Sequence, residues 1–196
     1  MAGSTERRTL WVGVAILFLL GTAAFIYLES NRPKFHGVVL SPAQPAEEIQ
    51  LTQVDGQRFR LSEQRGRIVL AYFGYTNCPD ECPITMAKLR QTFDLLGEQS
   101  SNVVVILITT DPARDGPQEL QEYLAHFHPD FIGLYGTPEE LQTVYSDYGV
   151  VVMDDGETHS ARTYVIDQAG DLVMTFPYEL GADEMASDLR LLLRGK

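Results

Sequence analysis

RIVLAYFGYTNCPDECP, residues 67–83, decides the fold. Its first half, 68–74, is a continuous apolar run of β-branched and aromatic residues, the pattern of a strand buried on both faces of a sheet. The residues from Pro83 to Leu96 then switch to helical spacing, with Met86, Leu89, Phe93 and Leu96 along one face. A strand-to-helix step is predicted, with the thiols of Cys78 and Cys82 in the turn between. The step recurs downstream as a buried strand over 103–108 and a helix from 117 to about 127. A short strand over 131–135 precedes a helix that Thr137 caps, with Pro138 at its first position and Glu140 completing a capping box. The chain closes with a strand over 163–166, a turn at 167–170, a strand over 172–176 and a helix over 182–193. Upstream, EIQLTQ (48–53), Asp55-Gly56 and QRFRL (57–61) read as a β-hairpin. This order predicts an α/β fold: a mixed central sheet flanked by helices, with an N-terminal hairpin.

A length of 196 residues with 44% hydrophobic and 21% charged residues suits one globular domain with a tail. With 15 Lys+Arg against 27 Asp+Glu the chain carries −12, which excludes a nucleic-acid binder that works by neutralising phosphates. The charge is uneven. Arg7, Arg8, Arg32 and Lys34 outnumber Glu6 and Glu29 in residues 1–34, leaving +2 there and −14 in the rest. Residues 10–28 contain no charge and would form about 28 Å of helix, enough to span a bilayer. Arg7 and Arg8 place residues 1–9 in the cytoplasm and the body outside. Without an Arg/Ser-rich transit segment ahead of it, the span favours a bacterial inner membrane, with the domain facing the periplasm or cell exterior. The rival reading is a cleaved signal peptide with Gly21-Thr22-Ala23 at its cleavage site, against which stands the continuation through Phe25-Ile26-Tyr27-Leu28. Residues 29–48, with three prolines and little periodicity, read as a linker, leaving 49–196 as the domain.

Cys78 and Cys82 are the only cysteines, too few for a disulfide scaffold or a four-thiolate metal site within one chain. They lie at a strand's C-terminal end, where ligands collect in open α/β sheets, and beside the positive end of a helix, which favours thiolates. Pro83 predicts that the helix starts there, with both cysteines in the preceding turn. Three readings stand: a plain disulfide, a redox dithiol exchanging with a partner protein, and a soft-metal site. Among four histidines, His159 is the best placed third ligand, in a polar loop entering the strand over 163–166. His126 and His128 cannot share a helix face and read as helix C-terminal residues, and His36 lies in the linker. The methionines are scattered through apolar positions and read as core.

Four segments together resemble the Sco/SenC family: GYTNCPDECP (74–83), TDPARD (110–115), GTPEEL (136–141) and His159-Ser-Ala161 before a strand, in the family's order over roughly 45–193. The resemblance implies a thioredoxin-like fold and a membrane-anchored protein, not an enzyme, whose two cysteines and one histidine bind copper as Cu(I) or Cu(II). That copper is delivered to the binuclear copper centre of cytochrome c oxidase. It implies Cys78, Cys82 and His159 as ligands, and its Asp-Pro-x-Arg-Asp motif maps onto Asp111 and Asp115 as support. The thiols must be reduced to ligate, so a redox disulfide between Cys78 and Cys82 would release metal, and the negative charge of Asp80 between them favours the cation but opposes thiolate formation. The copper-bearing oxidase subunit is the expected partner, with periplasmic copper carriers or thiol reductants beside it. One departure is Thr158, where many relatives carry Asp before the histidine. The alternative is a thiol–disulfide oxidoreductase that keeps the oxidase's copper-site cysteines reduced. Redox members of the superfamily commonly have C-x-x-C and a proline before the penultimate strand. Here the spacing is C-x3-C, and no proline occurs between Pro138 and Pro177.

Overall fold

A computed structural model describes residues 11, 13, 16–23, 25, 34–153 and 162–195. The chain divides into two units, Met1–Lys34 and Phe35–Lys196. In the first, residues 16–23 are helical and Leu17, Phe18, Leu19 and Leu20 are exposed. Among the described residues no helix is long and apolar enough to cross a membrane. The expected span over 10–28 falls partly outside those residues.

The second unit is built on a single eight-stranded sheet. Its strands are β1 (Val38–Pro45), β2 (Gln50–Gln53), β3 (Arg58–Arg60), β4 (Ile68–Gly74), β5 (Val103–Thr109), β6 (Ile132–Tyr135), β7 (Arg162–Ile166) and β8 (Asp171–Pro177). Their order across the sheet is β1-β8-β7-β4-β5-β6-β2-β3. All seven residues of β4 and all seven of β5 are buried, as their uninterrupted apolar runs require. β4, β5 and β6 run parallel, while β7 and β8 return antiparallel, so the sheet is mixed.

Four helices cover it: α1 (Glu81–Leu96), α2 (Pro117–Ala125), α3 (Pro138–Asp147) and α4 (Ala182–Leu193). Alternation along the strands sorts the core into two layers. Ile68, Leu70 and Tyr72 pack with Met86, Leu89 and Phe93 of α1, Leu120 and Leu124 of α2, and Met185 and Leu189 of α4. Val69, Ala71 and Phe73 face the other way, toward Leu141, Val144 and Tyr145 of α3. The expected capping box is present: the Glu140 N–H donates to Thr137 Oγ1 and the Thr137 N–H to Glu140 Oε2.

Three elements differ from expectation. Residues 38–45, inside the expected linker, form edge strand β1 against β8, so the ordered domain begins at Phe35 rather than 49. A register shift between Val39 and Gln44 spans Pro42, which has no N–H to give to a ladder and is tolerated only at such an edge. The hairpin of β2 and β3 does not stand ahead of the sheet but extends it, through β2 on β6. Finally, α1 begins at Glu81 rather than Pro83. Proline suits the first turn of a helix, not only its first position, so Cys82 is already helical while Cys78 remains in the turn.

Candidate metal centre

The parallel register of β4 and β5 sets the site. Pairing runs from Ile68 with Val103 to Gly74 with Thr109, so both strands end at one level and the turns that follow lie side by side. The Thr110 N–H donates to the Gly74 carbonyl (2.9 Å), extending that alignment by one residue. β7 joins from the other side with Thr163 opposite Tyr72, so it enters the sheet at this same end.

Both cysteines are free thiols. Cys78 is half-buried in the turn, and its backbone N–H donates to the Tyr75 carbonyl (3.4 Å). Cys82 is 4% exposed, on the first turn of α1. The Cys82 N–H donates to Cys78 Sγ at 3.4 Å, so a free amide at the start of the helix supports charge on the outer sulfur. Together with Tyr72, Gly74, Tyr75, Pro79, Asp80 and Glu81, the two sulfurs line a cavity of about 270 Å³.

The inner sulfur is held tightly. The Tyr72 hydroxyl donates to Cys82 Sγ at 3.6 Å. A Cβ on Gly74 would meet that sulfur at 2.9 Å and the Tyr72 ring at 2.8 Å, so only glycine admits Cys82 here. Burial pushes the Cys82 thiol up to about 12, against a hydrogen bond from the Tyr75 backbone that favours the thiolate. Burial, with the neighbouring thiols, holds the Tyr72 phenol protonated far above its usual range. A cation is then needed to draw the proton from Cys82, and two converging sulfurs beside an apolar wall suit a soft one.

The expected supporting carboxylates have separate roles. Asp115 is 1% exposed and accepts from the Thr76 N–H (3.1 Å), the Thr76 hydroxyl and the Thr109 hydroxyl (2.8 Å). It ties the cysteine turn to the end of β5. Asp111 pairs with Arg114, and its N–H donates to Thr109 Oγ1 (3.0 Å), which shapes the neighbouring turn. Asp80 is exposed at the helix N-cap without a side-chain capping bond. His159 lies in 154–161, outside the described residues. Among the described residues no three His, Cys, Asp or Glu side chains converge on one point. Tyr72, Gly74, Thr76 and Thr109 also belong to the site. Of these, only the inward-facing alternation of β4 marks Tyr72 in the sequence.

A thiol pair on a strand-to-helix turn, at the carboxyl ends of parallel strands with an antiparallel pair beside them, defines a thioredoxin-like protein. Comparison with known proteins narrows the class: the SCO1/SenC family model matches residues 40–194, and the chain belongs to that family. It is 30% identical over 191 residues to an SCO2-like protein of Rickettsia typhi, covering 90% of this chain and 94% of that one. Bradyrhizobium japonicum ScoI, solved with copper bound, superposes with a TM-score of 0.67 at 33% identity, over 76% of this chain and 99% of that one. Apo Sco1 of Thermus thermophilus superposes with a TM-score of 0.73 at 32% identity, over 83% and 99%.

Proposed function

We propose that this chain is a copper-binding assembly factor of cytochrome c oxidase, which takes copper as cargo on Cys78, Cys82 and His159 and passes it to the copper-bearing oxidase subunit. The observation that carries the reading is the pair of free sulfurs at one cavity, one half-exposed and one buried. Family membership and the copper-bound ScoI of B. japonicum support copper as the cargo. His159 fits as third ligand because β7, which its loop enters, joins the sheet at the end that carries the thiols. The buried Cys82 thiol must shed its proton to ligate, so loading is coupled to proton release. Oxidation to a Cys78–Cys82 disulfide would remove both sulfur ligands and discharge the metal. Residues 10–28 would hold the domain at the outer face of a bacterial inner membrane.

An accessible Cys78 beside a buried Cys82 also resembles an attacking and a resolving thiol, which is the oxidoreductase reading. The second step of such an exchange requires Cys82 as a thiolate, and a thiol pushed up to about 12 supplies very little of it. That difference favours cargo transport. The test is anaerobic Cu(I) titration of the reduced chain with Cys78→Ala, Cys82→Ala and His159→Ala. One copper per chain is expected, with affinity lowered at least about tenfold in each variant. Unchanged affinity in any of them removes that ligand. Maturation of the oxidase site by the reduced, copper-free chain alone would establish the reductase instead.

A further inference from the structure

β4 carries one polar side-chain atom, the Tyr72 hydroxyl, on a strand whose other side chains are all apolar. Phe73, the next residue, fills the opposite core layer as a plain ring, so packing on this strand does not call for the oxygen. Tyr72 is 2% exposed, lines the thiol cavity and donates to Cys82 Sγ at 3.6 Å. Gly74 brings the two together. The point that a Cβ would occupy there lies 2.8 Å from the Tyr72 ring and 2.9 Å from Cys82 Sγ, so ring and sulfur meet over bare backbone.

The two sulfurs therefore have different donors. Cys78 Sγ accepts the Cys82 N–H at 3.4 Å, a bond that any residue but proline would supply from that backbone. The bond to Cys82 Sγ depends on a single side-chain hydroxyl. A hydrogen bond to a ligating sulfur draws electron density from it, and such bonds tune the potential of the copper that a cysteine holds. Cu(II) takes more electron donation from sulfur than Cu(I) does, so a donor on the sulfur weakens the bond to Cu(II) more.

We propose that the Tyr72 hydroxyl, through its hydrogen bond to Cys82 Sγ, sets the oxidation-state selectivity of the cavity in favour of Cu(I). Tyr72 is then a positioning residue, acting on the cargo through a ligand. This rests on the copper reading above.

The experiment compares the full-length chain with Tyr72→Phe, Tyr72→3-fluorotyrosine and Tyr148→Phe. Cu(I) and Cu(II) affinities are measured separately by chelator competition, and the sulfur-to-copper charge-transfer band is recorded on the Cu(II) form. Tyr72→Phe is expected to lower the ratio of Cu(I) to Cu(II) affinity about tenfold, as for one hydrogen bond to a charged acceptor, and to move the band to lower energy. The fluorinated ring keeps its packing and is a stronger donor, so ratio and band should move the opposite way. Tyr148→Phe loses a phenol hydrogen bond to the Glu47 carbonyl (2.7 Å) in the other core layer and should leave both unchanged. A wild-type ratio and band in Tyr72→Phe or Tyr72→3-fluorotyrosine, beside a copper-binding wild type, overturns this inference alone, as does an equal shift in Tyr148→Phe. A wild-type chain that binds no copper overturns the copper reading with it.

Discussion

Cys78 and Cys82 are chemically the same group in two environments, and the difference between them is open to measurement. With Cys78 half-exposed under the Cys82 N–H, and Cys82 buried and pushed up to about 12, alkylation of the reduced, metal-free chain at pH 8 is expected to be strongly ordered. Iodoacetamide with mass mapping should modify Cys78 at least about tenfold faster than Cys82. Equal rates would mean that the inner sulfur is not shielded as described. Gly74 is the second test at this scale. The Cβ of Gly74→Ala would press on Cys82 Sγ at 2.9 Å, and an overlap that close moves the sulfur or the strand. Because it lies at the end of β4 rather than within the sheet's centre, the variant is expected to fold and to lose copper affinity about tenfold or more by chelator competition. Gly74→Ala with unimpaired binding would show that the cavity tolerates a displaced inner ligand.

At the scale of elements, the site depends on two turns held in register by Asp115. Asp115→Ala leaves the Thr76 N–H and the Thr109 hydroxyl without their acceptor beside a buried core, and should cost about 3 kcal/mol in urea unfolding. A loss below about 1 kcal/mol would show that the turns align without it. By contrast, Thr137→Ala removes a cap on the opposite face of the sheet and should cost about 1 kcal/mol with copper affinity unchanged. What the sequence displays follows from the same distinction between local and distant contacts. The apolar runs of β4 and β5, the period of α1 and the Thr137 capping box are written within a few neighbouring residues, and each is found where it is read. β1 is not legible, because Pro42 and Pro45 interrupt its pattern and its partner β8 lies far along the chain. The grouping of Cys78 and Cys82 is legible from spacing. The saturation of Asp115 is not, since it depends on what two turns bring together.

For the whole domain, the decisive long-range contact joins the two ends of Phe35–Lys196. Asp188, fully buried on α4, accepts from the His36 N–H (2.9 Å), the Gly37 N–H (2.8 Å) and His36 Nδ1 (2.8 Å). The hydrogen bond to Asp188 raises the His36 imidazole above its usual range, against a smaller opposing effect of burial. A group whose charged form is favoured by folding contributes fully below its unfolded value, about 6.5, and loses that contribution as pH rises through the raised folded value. His36→Ala is therefore expected to lower the melting temperature most near pH 5.5 and progressively less toward pH 9; a pH-independent difference would remove the ion pair from the balance. The same contact bears on when the domain can form. His36 and Asp188 are 152 residues apart, and β1 must wait for β8, so the sheet's first strand has no partner until nearly the whole chain has been released. Until then β1 stays an unpaired strand, so the domain closes at its N-terminal end only as its C-terminal elements β8 and α4 form.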